Sequence, residues 1–423
     1  MDKSLLLEII HEQAQDLTSP RVSHTRHALT ELQAAIKSTQ IVVITGIRRG
    51  GKSTLLQQIL KTEFKNKAFY FSFEDERLLQ FTVEDFSLLH EALTEFYGEQ
   101  TAFFLDEIQN IAHWELFVRR LHDRGMKVFI TGSNATLLSQ ELSTRLTGRT
   151  IPYALYPFSF GEFVEFSMPE LKGKSPKTPV SRGLFSNAFT RYLKSGGMPL
   201  HVINQERFLL TQVYEDILYR DIISRYKIND EKSIRELSLY LVSHVSSLYS
   251  YNKLKTMLHL GSMNTVKNYI QYLENSYLFF SIRRFCYSLK QQQLAPKKIY
   301  CIDSAIIDAL SFKFSDNFGH LLENIVFLEL KRRQQEVYYY HSESGLEVDF
   351  IVRDGVKITA LIQVWASLDN DNTQAREVNA LIEAMNEMKL TTGLILTANT
   401  SKTIKKDGKI IHVLPVYQWL LSI

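Results

Sequence analysis

The sequence predicts an α/β protein: a helix-covered parallel sheet first, a helical middle, and a second α/β region last. Three observations predict it. Continuous apolar runs recur at 41–45 (IVVIT), 68–73 (AFYFSF), 101–106 (TAFFLD) and 127–131 (KVFIT), each bounded by turn residues. Runs without polar alternation suit strands covered on both faces, as in a parallel sheet, and the helical stretches between them supply the crossovers. Residues 184–317 are mostly helical in pattern and rich in Tyr, Leu and Ser. From there a helix (GHLLENIVFLELKRR) precedes three strand candidates, EVYYYH, GLEVDFIV and ITALIQVW; an acidic helix around 373–388 and the strands GLILT and IIHVL follow.

The first element is the N-terminal MDKSLLLEIIHEQAQDL. It lacks the basic start, long apolar centre and cleavage site of a signal peptide, and reads as an amphipathic helix packing on the first domain. No run of 18 or more apolar residues is present, so no membrane segment is expected. The 423 residues carry a net charge of +3, far from the basicity of a dedicated nucleic-acid binder, although a local basic face remains open. Two cysteines, Cys286 and Cys301, with no CxxC pair, exclude a disulfide framework and a zinc ribbon and fit a reducing cytoplasm. Residues 168–183 (MPELKGKSPKTPVSRG) hold three prolines and two glycines and read as a loop. The expected division is 1–165, a linker over 166–183, a helical region over 184–310, and 311–423.

The strongest motif follows the first strand. Gly46, Gly51, Lys52 and Ser53 in GIRRGGKST fit G-x-x-x-x-G-K-[ST] at every fixed position. Glycines let the backbone curl so that successive N–H groups point inward at phosphate oxygens, and the helix that follows adds the positive end of its dipole. Gly46, Ile47, Arg48, Arg49, Gly50, Gly51, Lys52, Ser53 and Thr54 are the expected cradle. Lys52 reaches the terminal phosphates and Ser53 offers a hydroxyl to Mg²⁺. Arg48 and Arg49 are solvated, or pair with acidic neighbours.

TAFFLDEIQNI supplies the partner motif. Asp106, at the end of a strand beside the loop's own strand, is placed to hold Mg²⁺ through its water shell; Glu107 is placed to orient the attacking water. The strand KVFIT ends in Gly132, Ser133 and Asn134, and Asn134 would sit between the two motifs and sense the terminal phosphate. Arg145 and Arg149, in STRLTGR, are candidates to reach phosphate in their own subunit or in a neighbour's.

GIRRGGKST, FFLDEIQN, ITGSNATLLSQELSTRLTGR and YPFSFGEF together resemble the AAA-type ATP-binding proteins of bacteria and archaea related to the archaeal ATPase group. The resemblance runs from about residue 25 to the end. It implies a P-loop NTPase of AAA type, then a winged-helix region, then a restriction-endonuclease-like tail. It also carries the preference for ATP, since no separate base-reading motif is found.

In the stretch that resembles the winged helix, Gly261 breaks one helix and Ser262 or Asn264 caps the next. Val266, Tyr269, Ile270 and Leu273 fall on one helical face, toward the core; Thr265, Lys267, Asn268, Gln271 and Tyr272 face outward, where a DNA reader would meet the major groove. Only Lys267 is basic there, so packing or protein contact competes with double-stranded DNA as the role. In the tail, the PD-(D/E)XK pattern that the resemblance implies would place Glu323 and Asp349 at a metal, with Glu347 on the same face as Asp349. The next strand should read acid-x-Lys but reads Gln363, Val364, Trp365. A neutral amide and an indole cannot replace a carboxylate and a lysine, so nuclease activity is not expected and Glu323 and Asp349 become fold-holding acceptors.

The leading reading is an ATPase that hydrolyses ATP with Mg²⁺ as a nucleotide-dependent switch, acting on a protein partner or as a homo-oligomer. The alternative is an ATP-coupled DNA-binding or DNA-processing protein. A nucleotide-binding interaction protein with little turnover is a third reading, and the Asp-Glu pair disfavours a small-molecule kinase.

Overall fold

The computed structural model describes residues 1–18, 24–135, 146–311, 318–342, 345–366 and 371–422. Two compact units divide the chain: Met1–Tyr156 with Asn275–Tyr277, and Pro157–Glu274 with Leu278–Ile423. The first unit therefore closes at Tyr156, before the boundary at 165 that the sequence suggests.

In the first unit, β1 (Ile41–Thr45), β2 (Phe69–Ser72), β3 (Ala102–Asp106), β4 (Lys127–Gly132) and β5 (Thr150–Ala154) form one parallel sheet in the order β2-β3-β4-β1-β5. Because side chains alternate across a strand, β1 to β4 each feed two cores. Val43, Phe71, Leu105 and Ile130 meet Leu6, Ile9 and Ile10 of the helix Lys3–Thr18, together with Leu89 and Phe117. Val42, Ile44, Phe104 and Phe129 meet Leu55, Leu56 and Ile59 of the helix Lys52–Thr62. Burial on both faces explains why these strands read as unbroken apolar runs. The strand order corrects one expectation. β3 is not beside β1, because β4 lies between them, so Asp106 approaches the loop across the end of β4.

In the second unit, the helix Pro179–Ser195 begins inside the proline-rich stretch read as a loop. Thr178 is its N-cap, accepting from Ser181 N, and Pro179 fills the first helical position, where a missing N–H costs nothing. Helices Tyr251–Met257 and Met263–Asn275 lead into the antiparallel sheet β6-β8-β7, made of β6 (Leu248–Tyr249), β7 (Phe279–Ile282) and β8 (Lys297–Cys301). Val266, Tyr269, Ile270 and Leu273 are buried, while Lys267, Asn268 and Gln271 are exposed.

The helix Phe318–Arg332 precedes a six-stranded mixed sheet ordered β13-β14-β12-β11-β10-β9. Its strands are β9 (Glu336–His341), β10 (Glu347–Asp354), β11 (Lys357–Trp365), β12 (Thr392–Thr397), β13 (Lys402–Lys406) and β14 (Lys409–Pro415). The helix Asp371–Glu387 covers it through Leu381 and Met385. No helix among the described residues is long and apolar enough to cross a membrane.

Candidate functional site

The loop Gly46–Gly51 joins the buried end of β1 to the helix Lys52–Thr62. Two of its glycines are required by geometry. A Cβ on Gly46 would lie 2.2 Å from the Leu155 carbonyl oxygen, where the chain leaving β5 passes the loop. Gly51 has φ 96°, in the left-handed region, and turns the chain into the helix whose first bond runs from Leu55 N to the Gly51 carbonyl. The amides of Lys52, Ser53 and Thr54 have no partner within the helix, which leaves an anion-binding end. Ile47 is buried and accepts from Gly50 N at 3.0 Å, closing the turn. Arg49 is exposed at φ 59°, and Arg48 pairs with the exposed Glu74 at 3.2 Å. Such a surface pair contributes little.

Lys52 is 4% exposed. Its Nζ donates to the Ile47 carbonyl at 3.2 Å and lies 3.2 Å from Glu107 Oε1. Asp106 ends β3; its Oδ1 accepts from Thr131 Oγ1, the Ser53 hydroxyl is bonded to it, and Tyr70 OH reaches Oδ2 at 3.4 Å. Burial, reinforced by the charge of Glu107, pushes the Asp106 carboxyl up to about 6. Burial also acts to raise Glu107, but the Lys52 ammonium and the Gln109 amide outweigh it and hold that carboxyl below its ordinary value. Ser53 and Asp106 thus present two hard oxygens to one point, a fit for Mg²⁺. Asn134 lies two residues past β4, buried beside Ser133.

Arg149 is not brought to the loop. Its carbonyl accepts from Ile41 N, at the far end of β1, and its guanidinium lies 3.4 Å from Asp123. The length of β1, roughly 13 Å, separates it from the cradle, so it is no finger within its own subunit. Arg145 lies outside the described residues. Sequence reasoning missed Arg26, which is 4% exposed and donates to the Gly50 carbonyl at 3.0 Å and the Tyr156 carbonyl at 2.7 Å. It staples the segment before β1 to the loop. It also missed Gln109, which donates to Glu107 Oε2.

The second unit gathers the tail acids. Glu323, Glu347 and Asp349 converge on Lys298 of β8, a residue that the sequence pattern did not single out. Burial, then the nearby Asp349 charge, pushes Glu323 up to about 8. Trp365, where a lysine was sought, lies at the end of β11.

An AAA domain family matches residues 38–164, and two domain families of unknown function match 186–317 and 318–419. An uncharacterised protein of Methanocaldococcus jannaschii is 33% identical over 93% of this chain and 90% of its own length. One of Haemophilus influenzae is 30% identical over 90% of this chain and 94% of its own. The chain belongs to their family of AAA-domain proteins. A signal transduction ATPase with a tetratricopeptide repeat sensor, from Pyrococcus horikoshii, covers 74% of this chain and 46% of its own at 17% identity. Its TM-score is 0.28. The AAA-domain match over residues 38–164 spans the loop of the first unit.

Arg26→Met strips two buried carbonyls of their donor; urea denaturation should show a loss of about 2–4 kcal/mol, and a fluorescent ATP analogue should bind more weakly. Glu323 is raised from 4.5 to about 8 in the folded chain, among Lys298, Asp349, Glu347 and Tyr300. Between those values the folded state keeps a proton that the unfolded state has lost, so stability falls as pH rises through that window. Denaturation between pH 5 and 8.5 should show this slope, and Glu323→Gln should reduce it by up to about 1.4 kcal/mol per pH unit.

Proposed function

We propose that the chain is an Mg²⁺-dependent ATPase that works as a nucleotide-dependent switch on a protein partner or as a homo-oligomer. The observation that carries the reading is the buried pair of Lys52 and Glu107, 3.2 Å apart, beside the hydrogen-bonded Ser53 and Asp106. Incoming phosphate competes for the Lys52 ammonium. As Lys52 turns to the terminal phosphates, Glu107 loses its cation and its carboxylate is released to accept a proton from an attacking water. The amides of Gly51 to Thr54 hold the phosphate oxygens. Mg²⁺, held by Ser53 and Asp106, would neutralise charge developing on them. Asn134 senses the terminal phosphate from the end of β4. Arg26 keeps the cradle in shape by holding the Gly50 carbonyl.

Phosphate release from ATP and from GTP measures this directly. ATP-selective turnover is expected. Glu107→Gln should lower kcat by about a hundredfold or more while nucleotide still binds. Lys52→Ala should abolish binding; unchanged turnover in that variant would sink the proposal.

A second reading, contact with double-stranded DNA, has one observation in its favour. Exposed Lys267 and nearby Lys297 both lie over the Tyr251 ring, at 5.6 and 5.2 Å, so the helix Met263–Asn275 has a second cation beside it. If this face meets phosphate, DNA affinity should fall steeply with salt and Lys267→Ala should flatten that slope by about one. A salt-independent response would remove the reading.

A further inference from the structure

The nuclease-like resemblance of the last region implies a divalent metal between Glu323 and Asp349, and the residues present do not fit one. We infer that the ammonium of Lys298 is the resident cation of this cluster and takes the place of that metal. The inference does not depend on the nucleotide reading.

Lys298 Nζ lies 2.8 Å from Glu323 Oε1, 2.7 Å from Glu347 Oε1 and 2.9 Å from Asp349 Oδ1. An ammonium has three N–H donors, and each meets an oxygen of one carboxyl group. These are hydrogen-bond distances; Mg²⁺ needs oxygens at about 2.0–2.1 Å in an octahedron. A dication drawn into the same oxygens would stand within roughly 3 Å of the ammonium, and like charges in a buried site repel strongly. Two more bonds draw on the same acids. Asp349 Oδ2 accepts from Val364 N at 2.9 Å, and Glu323 Oε1 also accepts from Tyr300 OH at 2.7 Å.

Gln363, at the position where a third acid would face the metal, is turned to other work. Its Oε1 accepts from Asp349 N at 3.1 Å, and its Nε2 donates to Glu377 at 2.7 Å. Lys298 cannot step aside cheaply. It is 4% exposed, and its backbone is fixed in the ladder opposite Leu248 and Ile282. The cation arrives on β8, a different element from the acid-bearing β10 and the helix Phe318–Arg332. The cluster therefore fastens three elements with no ion taken from solution.

The test is Mn²⁺ binding by the full-length chain without nucleotide, followed by electron paramagnetic resonance and by thermal unfolding, with plasmid cleavage assayed alongside. The expected result is that Asp349→Asn removes no Mn²⁺ from the parent protein, and that the parent does not cut plasmid. Lys298→Met keeps the stem and deletes the charge; it should lower Tm, and millimolar Mn²⁺ should recover part of the loss. Mn²⁺ bound by the parent and lost in Asp349→Asn, or Asp349-dependent cleavage, would overturn the inference. So would a folded Lys298→Met chain that gains no Mn²⁺ dependence. If that variant does not fold, the parent and Asp349→Asn decide the matter by themselves.

Discussion

A lysine ammonium withdrawn from water must be matched by anions and hydrogen-bond acceptors, and each unit of this chain is organised around one such group. Lys52 and Lys298 are both 4% exposed. Desolvating a charge costs several kcal/mol unless it is paired, so each lysine dictates what surrounds it. In the first unit the match is deliberately thin: one carboxylate, Glu107, and one carbonyl, that of Ile47. In the second it is complete, with three carboxyl groups. A thinly matched ammonium leaves room for a better anion, and phosphate is that anion in the proposed function. A fully matched one has nothing to gain from a ligand. The same side chain is thus suited to binding in one unit and to holding structure in the other.

What could be read from the sequence follows sequence distance. The phosphate cradle is local: Gly46 to Thr54 are contiguous, and the strand before them and helix after them fix their conformation, so spacing alone located it. The pairing of Asp106 with the loop was also legible, since Asp-Glu at the end of an apolar run has few other uses beside a phosphate loop. The strand order was not, because no residue in β1 or β3 encodes which neighbour it takes. Arg26 escaped because its partners are carbonyls, those of Gly50 and Tyr156, which leave no mark in side-chain patterns. β13 escaped because it is an exposed edge strand, KTIKK, whose lysines discourage further pairing and erase the apolar signal.

The tail shows the same limit more sharply. The pattern acid-x-Lys asks for a lysine within one strand, and Trp365 occupies that place. The lysine that serves the acids stands on β8, far along the chain from Asp349. A charge requirement is met in space, and any element that reaches the spot can meet it. The identity of Glu323, Glu347 and Asp349 as a group was therefore predictable from the tail, while their cation was not.

Glu107 decides how the first unit can switch. It sits at φ 51°, in the left-handed region, which costs a residue with a side chain on the order of 1–3 kcal/mol. The cost is met by bonds that leave the backbone no choice: Glu107 N donates to Thr131 Oγ1 at 2.9 Å, and its carbonyl accepts from Asn110 N at 3.2 Å. The Thr131 hydroxyl in turn donates to Asp106, so both acids of the motif hang on one residue of β4. With the main chain at Glu107 pinned, the carboxylate keeps its direction, and the mobile partner is the four-carbon stem of Lys52. Nucleotide arrival then changes the charge state around Glu107 without moving it. Under the proposed function, such a site is preorganised for hydrolysis and restrained by its own lysine until phosphate draws that lysine away.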